Sequence, residues 1–283
     1  MNVDLHSHSS ASDGALLPAV LVQRAVARGV DTLALTDHDD VSGFEEAAAA
    51  AREAGLRLIP GVEISTQWGD PDWRGEKTGI HLLGLGIDPS AADLQQGLAG
   101  IRLSRAGRAE RIAESLAKAG IPDALEGAAA YAGNPSLISR AHFARYLAAQ
   151  GHARDVKHVF DRYLVPGRPG YVAHTWPELD AAVKWIQAAG GAAVLAHPGR
   201  YGLPRRDMRI LLAQFRDAGG AGVEVVSGSH TPEQWREYAA LAAEFGLAGS
   251  RGSDFHAPGE SKTDLGALPE LPAGVTPVWR RWE

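Results

Sequence analysis

The chain contains no cysteine, and this absence excludes several classes of protein. Without thiols there is no disulfide scaffold, no thiolate-ligated metal site and no cysteine nucleophile. Long apolar runs are also missing, since none approaches the ~20 residues that a membrane helix needs. The first residues show no basic segment followed by an apolar one, so no signal peptide is predicted. These absences predict a cytoplasmic protein without a membrane partner.

Positive charge is also in short supply. The 28 Lys and Arg residues are outnumbered by 34 Asp and Glu residues, which gives a formal net charge of −6. A protein that coats a polyanion is usually basic, so this class is disfavoured. Histidine, by contrast, is plentiful, with eleven residues in 283. Any metal bound by this chain is therefore expected to have nitrogen and oxygen ligands.

Short apolar runs of strand length alternate with helical patterns along most of the chain. The runs are Val3–Leu5, Thr32–Leu35, Leu56–Val62, Ile80–Leu85, Ala192–Ala196, Val223–Val226 and Leu247–Gly249. Most of the helical patterns between them close with glycine at or just after the end. Such alternation predicts an α/β fold with parallel strands and helices outside. About seven units favour a barrel over an open sheet.

The middle of the chain breaks this alternation. Between residues 100 and 167 only helical patterns occur, beginning with Ile101–Ala119. Residues 100–170 hold eleven Lys and Arg against six Asp and Glu, a net charge of +5, so the remainder carries −11. This asymmetry predicts a barrel formed by residues 1–99 and 168–283 with an inserted helical lobe at 100–167. The lobe is either a set of solvated helix faces or a cap that faces the substrate.

Histidines and carboxylates recur where the predicted strands end. His6 and His8 are two residues apart, so both side chains point the same way in an extended segment. Asp254 and His256 repeat this spacing. Glu63 has apolar neighbours, and a buried carboxylate is costly unless it is paired or binds metal. The candidate ligands are His6, His8, Asp13, His38, Glu63, His81, His197, Asp254 and His256.

Nine candidate ligands are more than one tetrahedral ion needs. Imidazole and carboxylate together suit Zn²⁺, Mn²⁺ or Fe²⁺, and the mixed set favours Mn²⁺. We therefore predict a site for two or three divalent ions. Such a site clamps the attacking and leaving oxygens in phosphoester hydrolysis.

Five short segments together form a specific pattern. They are Asp4–Ser9 (Asp-Leu-His-Ser-His-Ser), Thr36–Asp39 (Thr-Asp-His-Asp), Gly61–Glu63 (Gly-Val-Glu), Leu195–Pro198 (Leu-Ala-His-Pro) and Ser253–His256 (Ser-Asp-Phe-His). This set resembles the motifs of PHP domains, named after polymerase and histidinol phosphatase. The resemblance implies a distorted seven-stranded (β/α)₇ barrel, related to amidohydrolases, with two or three metal ions.

The resemblance also implies which residues bind each ion. The sets are His6, His8, Glu63 and Asp254 for a first metal, Asp13, His38 and His256 for a second, and Glu63, His81 and His197 for a third. All nine positions carry usable ligands, which implies an active enzyme. Asp37 is predicted to support His38 rather than to bind metal itself.

Three segments in and just after the predicted lobe make the resemblance to PHP domains more specific. Ile138–Arg145 (Ile-Ser-Arg-Ala-His-Phe-Ala-Arg), Tyr163–Leu164 and Gly170–Val172 resemble a stand-alone PHP group. That likeness implies removal of the 3′-phosphate from 3′,5′-nucleoside bisphosphates, such as pAp to AMP. It also implies 5′-to-3′ trimming of short 5′-phosphorylated RNA. Ala141 departs from the pattern, because the family often has proline there in an Arg-Pro-His sequence.

Substrate contacts are predicted on the lobe and at the barrel mouth. Arg140 begins a helix, and a helix N-terminus with an arginine is a natural phosphate site. Asn134 and Ser136 precede it and are either phosphate donors or turn and cap residues. Lys77 and Arg74 lie in the loop before the fourth predicted strand and are further candidate phosphate contacts.

The predicted partner is a small nucleotide substrate or a short RNA, with no obligate protein partner. Two alternatives stay open. One is a histidinol-phosphatase-like phosphomonoesterase, which the basic helical insertion disfavours. The other is a non-catalytic module that binds metal or nucleotide, which the intact ligand set disfavours.

Overall fold

The computed structural model describes residues 1–69 and 77–283, so Arg74 lies outside the described residues. Seven strands form one sheet in sequence order. They are β1 (Val3–Asp4), β2 (Thr32–Leu35), β3 (Arg57–Trp68), β4 (Thr78–Leu85), β5 (Ala192–Leu195), β6 (Gly222–Ser227) and β7 (Ala248–Gly252). The first and last strands meet through the backbone bonds Leu5 N–H to Arg251 O (3.0 Å) and His8 N–H to Phe255 O (2.9 Å). The sheet is therefore a nearly closed barrel, which confirms the predicted fold class.

Helices surround this barrel on the outside and extend beyond one end of it. They are α1 (Pro18–Ala27), α2 (Phe44–Ala54), α3 (Ala92–Lys118), α4 (Ala124–Ala129), α5 (Arg140–Ala149), α6 (Val156–Val159), α7 (Leu179–Ala188), α8 (Arg205–Asp217) and α9 (Pro232–Phe245). No helix in the described ranges has both the length and the apolar character needed to cross a bilayer.

The prediction that all strands run parallel is wrong at β4. This strand is antiparallel to both β3 and β5, whereas the remaining neighbours are parallel. A parallel connection needs a crossover of a dozen or more residues. Only nine residues separate Trp68 at the end of β3 from Thr78 at the start of β4. The chain therefore returns directly, and the barrel is distorted.

Aliphatic side chains fill the interior of the barrel. Val3, Leu5 and Val194 are fully buried there, together with Val278 from the C-terminal turn. Trp279 and Trp282 of the same turn pack against this cluster. The C-terminal segment thus covers the barrel interior, which leaves the carboxyl ends of the strands for polar chemistry.

The helical region between β4 and β5 has a hydrophobic core of its own. Ile112, Leu116, Phe143 and Leu164 are buried in this second cluster. Its first helix, α3, is 27 residues long and starts nine residues before the predicted Ile101. It therefore runs without a break from the barrel wall into the helical region, and it holds that region next to the strand ends.

Candidate metal centre and substrate cavity

Glu63 lies at the centre of a cluster of imidazoles. Its atom Oε1 is 2.8 Å from His81 Nδ1 and 2.9 Å from His197 Nε2. Its atom Oε2 lies 3.1–3.2 Å from ring nitrogens of three more histidines, His6, His8 and His38. Glu63 is fully buried. Five imidazoles therefore converge on one carboxylate inside the protein.

Two aspartates complete the cluster. Asp254 Oδ1 lies 3.2 Å from His8 Nε2 and 3.5 Å from His6 Nε2. Asp13 Oδ1 lies 3.3 Å from His256 Nε2. The structure thus brings together all nine side chains that the sequence singled out as candidate ligands.

Backbone pairing between neighbouring strands accounts for this convergence. The backbone N–H of Glu63 donates to Asp37 O, and Asp39 N–H donates back to Glu63 O, which aligns the segment just after β2 with the middle of β3. Asp254 N–H donates to His6 O in the same way between the ends of β7 and β1. Asp254 also has a φ of +55°, a conformation that non-glycine residues rarely adopt and that is typical of functional sites.

Several buried polar atoms of the cluster have no hydrogen-bond partner. They are His6 Nε2, both ring nitrogens of His8, Asp13 Oδ1, His38 Nδ1, Glu63 Oε2 and His197 Nδ1. An unsatisfied buried polar atom costs about 1–3 kcal/mol. So many unsatisfied atoms at one point indicate that the site is built for cations.

The ligand atoms fall into three groups in which all members lie within 4.8 Å of one another. The groups are His6, His8, Glu63 and Asp254; His8, Asp13, His38 and His256; and His38, Glu63 and His81. The first is identical to a predicted ligand set, and the second adds His8 to another. The third contains His38 where the resemblance implies His197. The donor set of imidazole and carboxylate fits divalent ions such as Mn²⁺, Zn²⁺ and Fe²⁺.

Electrostatics keep the carboxylates of this cluster available. Burial by itself raises the pKa of Glu63, but the surrounding histidines, His38 first, outweigh it and hold the pKa well below its usual range. Burial opposes charge on His8, yet Asp254 and Glu63 raise its pKa to about 10. The carboxylates therefore attract positive charge strongly, as a metal centre requires.

Glu224 is a site residue that the sequence analysis missed. It lies on β6, is fully buried, and its Oε1 is 3.1 Å from His6 Nδ1. Its Oε2 accepts the backbone N–H of His197 at 2.6 Å. A carboxylate on the second ring nitrogen sets the tautomer of a metal-binding histidine. The available signal was a charged residue within an apolar strand, since a buried carboxylate must be paired.

The prediction that Asp37 supports His38 is wrong. Asp37 Oδ1 accepts from Ser9 N–H at 2.7 Å and from Ser12 Oγ at 2.6 Å, and its Oδ2 accepts from Ser9 Oγ at 2.7 Å. These bonds hold the loop that follows β1 and carries Asp13. Two serines in that loop supply three donor groups, so the carboxylate turns toward them.

A cavity of about 390 Å³ lies beside the metal cluster, between the barrel and the helical region. The barrel side supplies candidate ligands such as Glu63 and Asp254. The helical side supplies apolar atoms from Ile112 and Phe160. Cationic side chains also line the cavity: Arg105, Arg108, Arg140, Arg145, Arg200 and Lys262. The cavity therefore combines an anion-binding wall with apolar surface.

The arginines of this wall differ in how they are neutralised. Arg105 donates to Asp39 Oδ2 at 2.7 Å, and Arg200 donates to Asp254 Oδ2 at 2.6 Å. Arg108 donates only to a backbone carbonyl, Val172 O, among the described contacts. Burial, together with the positive charges of Arg140 and Arg105, lowers the pKa of Arg108 to about 9. This crowding of positive charge favours binding of an anion.

The predicted substrate contacts are placed differently from one another. Arg140 begins α5 and lines the cavity. Asn134 and Ser136 are not among the described lining residues, because Asn134 Oδ1 caps its own turn by accepting from Ser136 N–H and Oγ. Lys77 is also outside the described lining and pairs with Glu178. The interpretation of Asn134 and Ser136 as turn and cap residues matches their contacts.

The sequence analysis did not single out Arg105, Arg108 or Arg200, and it quoted Arg145 only as the last residue of the Ile138–Arg145 segment. Arg105 and Arg108 are three residues apart, so they lie on one face of α3. Both lie on the helix that joins the barrel to the helical region, where the sequence indicated basic character but not which side chains face inward.

Comparison with known proteins agrees with this geometry. The PHP domain family model matches residues 4–165. A 3′,5′-nucleoside bisphosphate phosphatase from Chromobacterium violaceum is 48% identical over 282 residues, which cover 100% of this chain and 96% of the relative. The 5′-3′ exoribonuclease Rnm from Escherichia coli is 44% identical over 99% of this chain and 93% of its own length.

Solved structures are similar as well. An amidohydrolase from Chromobacterium violaceum with bound sulfate and no metal has a TM-score of 0.94 at 47% identity, covering 99% of this chain and 95% of that one. A protein described as a metal-dependent phosphoesterase from Bifidobacterium adolescentis has a TM-score of 0.80 at 28% identity, covering 98% and 92%.

Proposed function

The chain belongs to the PHP domain family, and we propose from this membership that it acts as a metal-dependent 3′,5′-nucleoside bisphosphate phosphatase. The reaction removes the 3′-phosphate, as in the conversion of pAp to AMP. One observation carries the proposal: a cluster of histidines and carboxylates lies directly beside an arginine-lined cavity. The first feature suits metal-assisted hydrolysis, and the second suits a substrate with more than one phosphate.

We propose that the nine clustered side chains hold two or three divalent ions, with Mn²⁺ favoured and Zn²⁺ or Fe²⁺ as alternatives. When bound, these ions activate water and neutralise charge on the reacting phosphate. Glu224 holds His6 through its Nδ1 atom, so that Nε2 faces the ligand cluster. Arg200 holds Asp254 through an ion pair and thereby orients the other carboxylate oxygen toward the histidines.

The arginine wall positions the rest of the substrate. Within the described contacts, Arg108 and Arg140 donate to backbone carbonyls and form no ion pair with a carboxylate, so their guanidinium groups are offered to the second phosphate. Arg140 also stands at the first turn of α5, where the helix dipole adds to its attraction for an anion. Phe160 and Ile112 line the same cavity and offer apolar surface to a nucleobase.

We propose that the helical segment 100–167 acts as a cap over the substrate rather than as a set of solvated faces. Ser139 Oγ donates to Asp13 Oδ2 at 3.2 Å, and Arg145 donates to Asp13 O at 2.7 Å. These bonds hold the cap against the metal cluster, so that it screens the reacting phosphate from bulk water.

Because its substrates are nucleotides, we place the enzyme in the cytoplasm.

A second activity, 5′-to-3′ hydrolysis of short RNA, is favoured by the relatives named exoribonucleases, which are 43–44% identical to this chain. The phosphodiester of RNA contains the same 3′-linked phosphorus as the bisphosphate, so both reactions use one centre. A histidinol-phosphatase-like activity is disfavoured because its substrate leaves most of the arginine wall unused.

The proposal is tested by phosphate release from purified protein with Mn²⁺. Candidate substrates are pAp, AMP, histidinol phosphate and a 5′-phosphorylated oligonucleotide, whose cleavage is followed by product analysis. We expect pAp to be hydrolysed with the highest kcat/KM and the activity to be lost in His8→Ala. His158→Ala, which removes a half-buried histidine that pairs with Asp155 and belongs to none of the ligand groups, serves as the matched control and should keep full activity. A preference for histidinol phosphate, or equal inactivity of both variants and the unaltered protein, would overturn the proposal.

A further inference from the structure

A second, larger recess lies next to the substrate cavity. Its volume is about 760 Å³, and its walls are α3, the segment 174–177 and α7. On α3 it is lined along one helical face by Gly97, Gly100, Ile101 and Ser104, among others. We call this recess the α3–α7 groove.

The α3–α7 groove is rich in aromatic surface. Trp176, Trp185 and His174 all line it. Trp185 packs flat against α3 at Gly97, where an added Cβ would lie 2.5 Å from its ring. Gly100, one turn further along, has no atom within 4 Å of the position that a Cβ would take. The groove therefore has an indole on one wall and open space at Gly100 beside it, which gives room for a planar ring next to aromatic surface.

Trp176 connects this groove to the catalytic cavity, because it lines both. Arg105 and Arg108 lie over its ring, with guanidinium carbons 4.8 and 5.7 Å from the ring centroid. His174 packs edge-on against Trp176, with ring centroids 4.1 Å apart, and its Nε2 is 3.2 Å from Ser104 Oγ. The groove therefore adjoins the catalytic cavity at Trp176, and the guanidinium groups of Arg105 and Arg108 lie at this junction.

The charge along this path is positive near the cavity and falls toward the far end. Besides burial, Arg108, Arg105 and Arg111 lower the pKa of His174 to about 4, which reflects the positive potential there. At the opposite end the groove is lined by Asp93, eleven residues before Ser104, or ~16 Å along the helix. Lys184 on α7 also lines the groove, but its ammonium group pairs with Asp180 at 2.9 Å. Unpaired positive charge is therefore concentrated near Trp176 and Asp93 disfavours phosphate at the far end, so the groove suits a short stretch of polyanion.

We propose that the α3–α7 groove binds the one or two nucleotides that follow the scissile phosphate in a 5′-phosphorylated oligoribonucleotide. This inference rests on the proposed function, because it assigns the reacting phosphate to the metal cluster. The first nucleotide occupies the arginine-lined cavity, and the next one passes Trp176 and places its base beside Trp185. The bisphosphate ends at the reacting phosphate, so it leaves the groove empty.

The test fills the groove without touching the metal cluster. Gly100→Leu introduces a side chain into open space, and Gly100→Ala is the matched small variant. For a 5′-phosphorylated trinucleotide, we expect Gly100→Leu to lower kcat/KM about tenfold or more, since base stacking contributes about 1–3 kcal/mol per base. Hydrolysis of pAp should stay within about twofold of the unaltered enzyme. Ala106→Leu, on the exposed side of the same helix, should change neither substrate.

The outcomes separate this inference from the proposed function. Unchanged trinucleotide cleavage by Gly100→Leu would overturn the groove assignment, and so would an equal loss for both substrates. An unaltered enzyme that cleaves pAp but no oligonucleotide would also overturn it while leaving the phosphatase in place. Failure on both substrates would instead reject the proposed function. In a series of oligonucleotides of increasing length, we expect KM to fall from pAp to the trinucleotide and then stay level. The reason is that Asp93, at the far end of the groove, disfavours binding of further phosphates.

Discussion

Glu224 lies outside the sequence motifs of the candidate metal centre, yet this single residue orients side chains within it. It contacts His6 Nδ1 and accepts the backbone N–H of His197, and thereby orients two candidate ligands from one carboxylate. An amide in its place keeps the shape but replaces one acceptor with a donor. The orientation of His6 and His197 therefore depends on the carboxylate of Glu224, which is not one of the nine candidate ligands.

For Glu224→Gln we expect metal affinity to fall by about 10–100-fold while the fold is kept. Calorimetric titration of the metal-free protein with Mn²⁺ measures this directly. Glu244→Gln is the matched control, because Glu244 is exposed and pairs with Arg209 on the surface, where such pairs contribute little. Unaltered Mn²⁺ affinity in Glu224→Gln would contradict the assigned role.

Arg108 carries positive charge in the cavity at a cost to stability. Its guanidinium group is crowded by Arg140 and Arg105. We expect Arg108→Gln to raise KM for pAp by about 10–100-fold, the value of a charged hydrogen bond to phosphate. We also expect a higher melting temperature without substrate, because like charges are separated. Steady-state kinetics and thermal unfolding measure the two effects, with Lys118→Gln on the exposed side of α3 as control. A lower KM or a lower melting temperature would count against this role.

His142 introduces a pH dependence of stability. It is fully buried, and its Nδ1 accepts the backbone N–H of Ser139 at 3.0 Å. Burial above all lowers its pKa from 6.5 to about 4. The unfolded chain therefore takes up a proton that the folded protein excludes, so stability is present above pH 6.5 and is lost as the pH falls toward 4. The difference amounts to about 3 kcal/mol.

His142→Gln keeps an acceptor for Ser139 and cannot titrate. We expect the stability difference between the unaltered protein and this variant to shrink as the pH falls from 7 to 4.5. Denaturant unfolding of metal-free protein at several pH values measures it, with His152→Gln as the control for histidine replacement. A difference that stays constant over this range would show that His142 does not titrate as its burial implies.

At the scale of elements, α3 joins the barrel to the cap and packs differently at its two glycines. Glycine in a helix interior costs about 0.5–1 kcal/mol relative to alanine. At Gly100 an added methyl group meets open space, whereas at Gly97 it meets the Trp185 ring. Replacement of glycine by alanine is therefore expected to stabilise the protein at Gly100 and to destabilise it at Gly97, one turn away.

We expect Gly100→Ala to raise the free energy of unfolding by about 0.5–1 kcal/mol. Gly97→Ala should lower it by about 1–3 kcal/mol, since the Trp185 ring must move and the α3–α7 contact loosens. Chemical denaturation of the two variants is the measurement, and each serves as the control for the other. If both variants were stabilised, helix propensity alone would govern this segment and the close packing at Gly97 would be refuted.

At the scale of the whole molecule, charge is divided between an acidic barrel and a basic cap. Residues 100–170 carry a net +5 and the remainder −11. Carboxylates in the acidic part include the candidate ligands Asp13, Glu63 and Asp254, which belong to the histidine and carboxylate cluster. Divalent ions there reduce self-repulsion within the barrel and strengthen the field that the cap presents to phosphate.

Metal removal should therefore destabilise the whole protein. Ligand binding to the folded state adds about 2.7 kcal/mol at a concentration one hundred times Kd. For a chain of this size we expect a rise in melting temperature of roughly 5–10 °C when Mn²⁺ is added to chelator-treated protein. Differential scanning calorimetry measures it, and His8→Ala should show a smaller rise. Equal melting temperatures with and without Mn²⁺, Zn²⁺ and Fe²⁺ would contradict a metal centre at these residues.

The sequence by itself determined the barrel class and the nine candidate ligands. Apolar runs end at polar residues within short segments, and the i, i+2 spacing of His6 and His8 is local information. The motif resemblance to PHP domains is confirmed for the same reason, since each motif is contiguous.

Only the tertiary structure decided the reversed direction of β4, the pairing of Glu224 with His6, and which arginines besides Arg140 face the cavity. These features depend on which distant segments meet. Glu224 and His6 are 218 residues apart, and their contact exists only because β6 and β1 lie in one nearly closed barrel. Local patterns therefore specify the chemistry of each strand end, and packing between distant elements specifies how those ends are oriented and what stands opposite them.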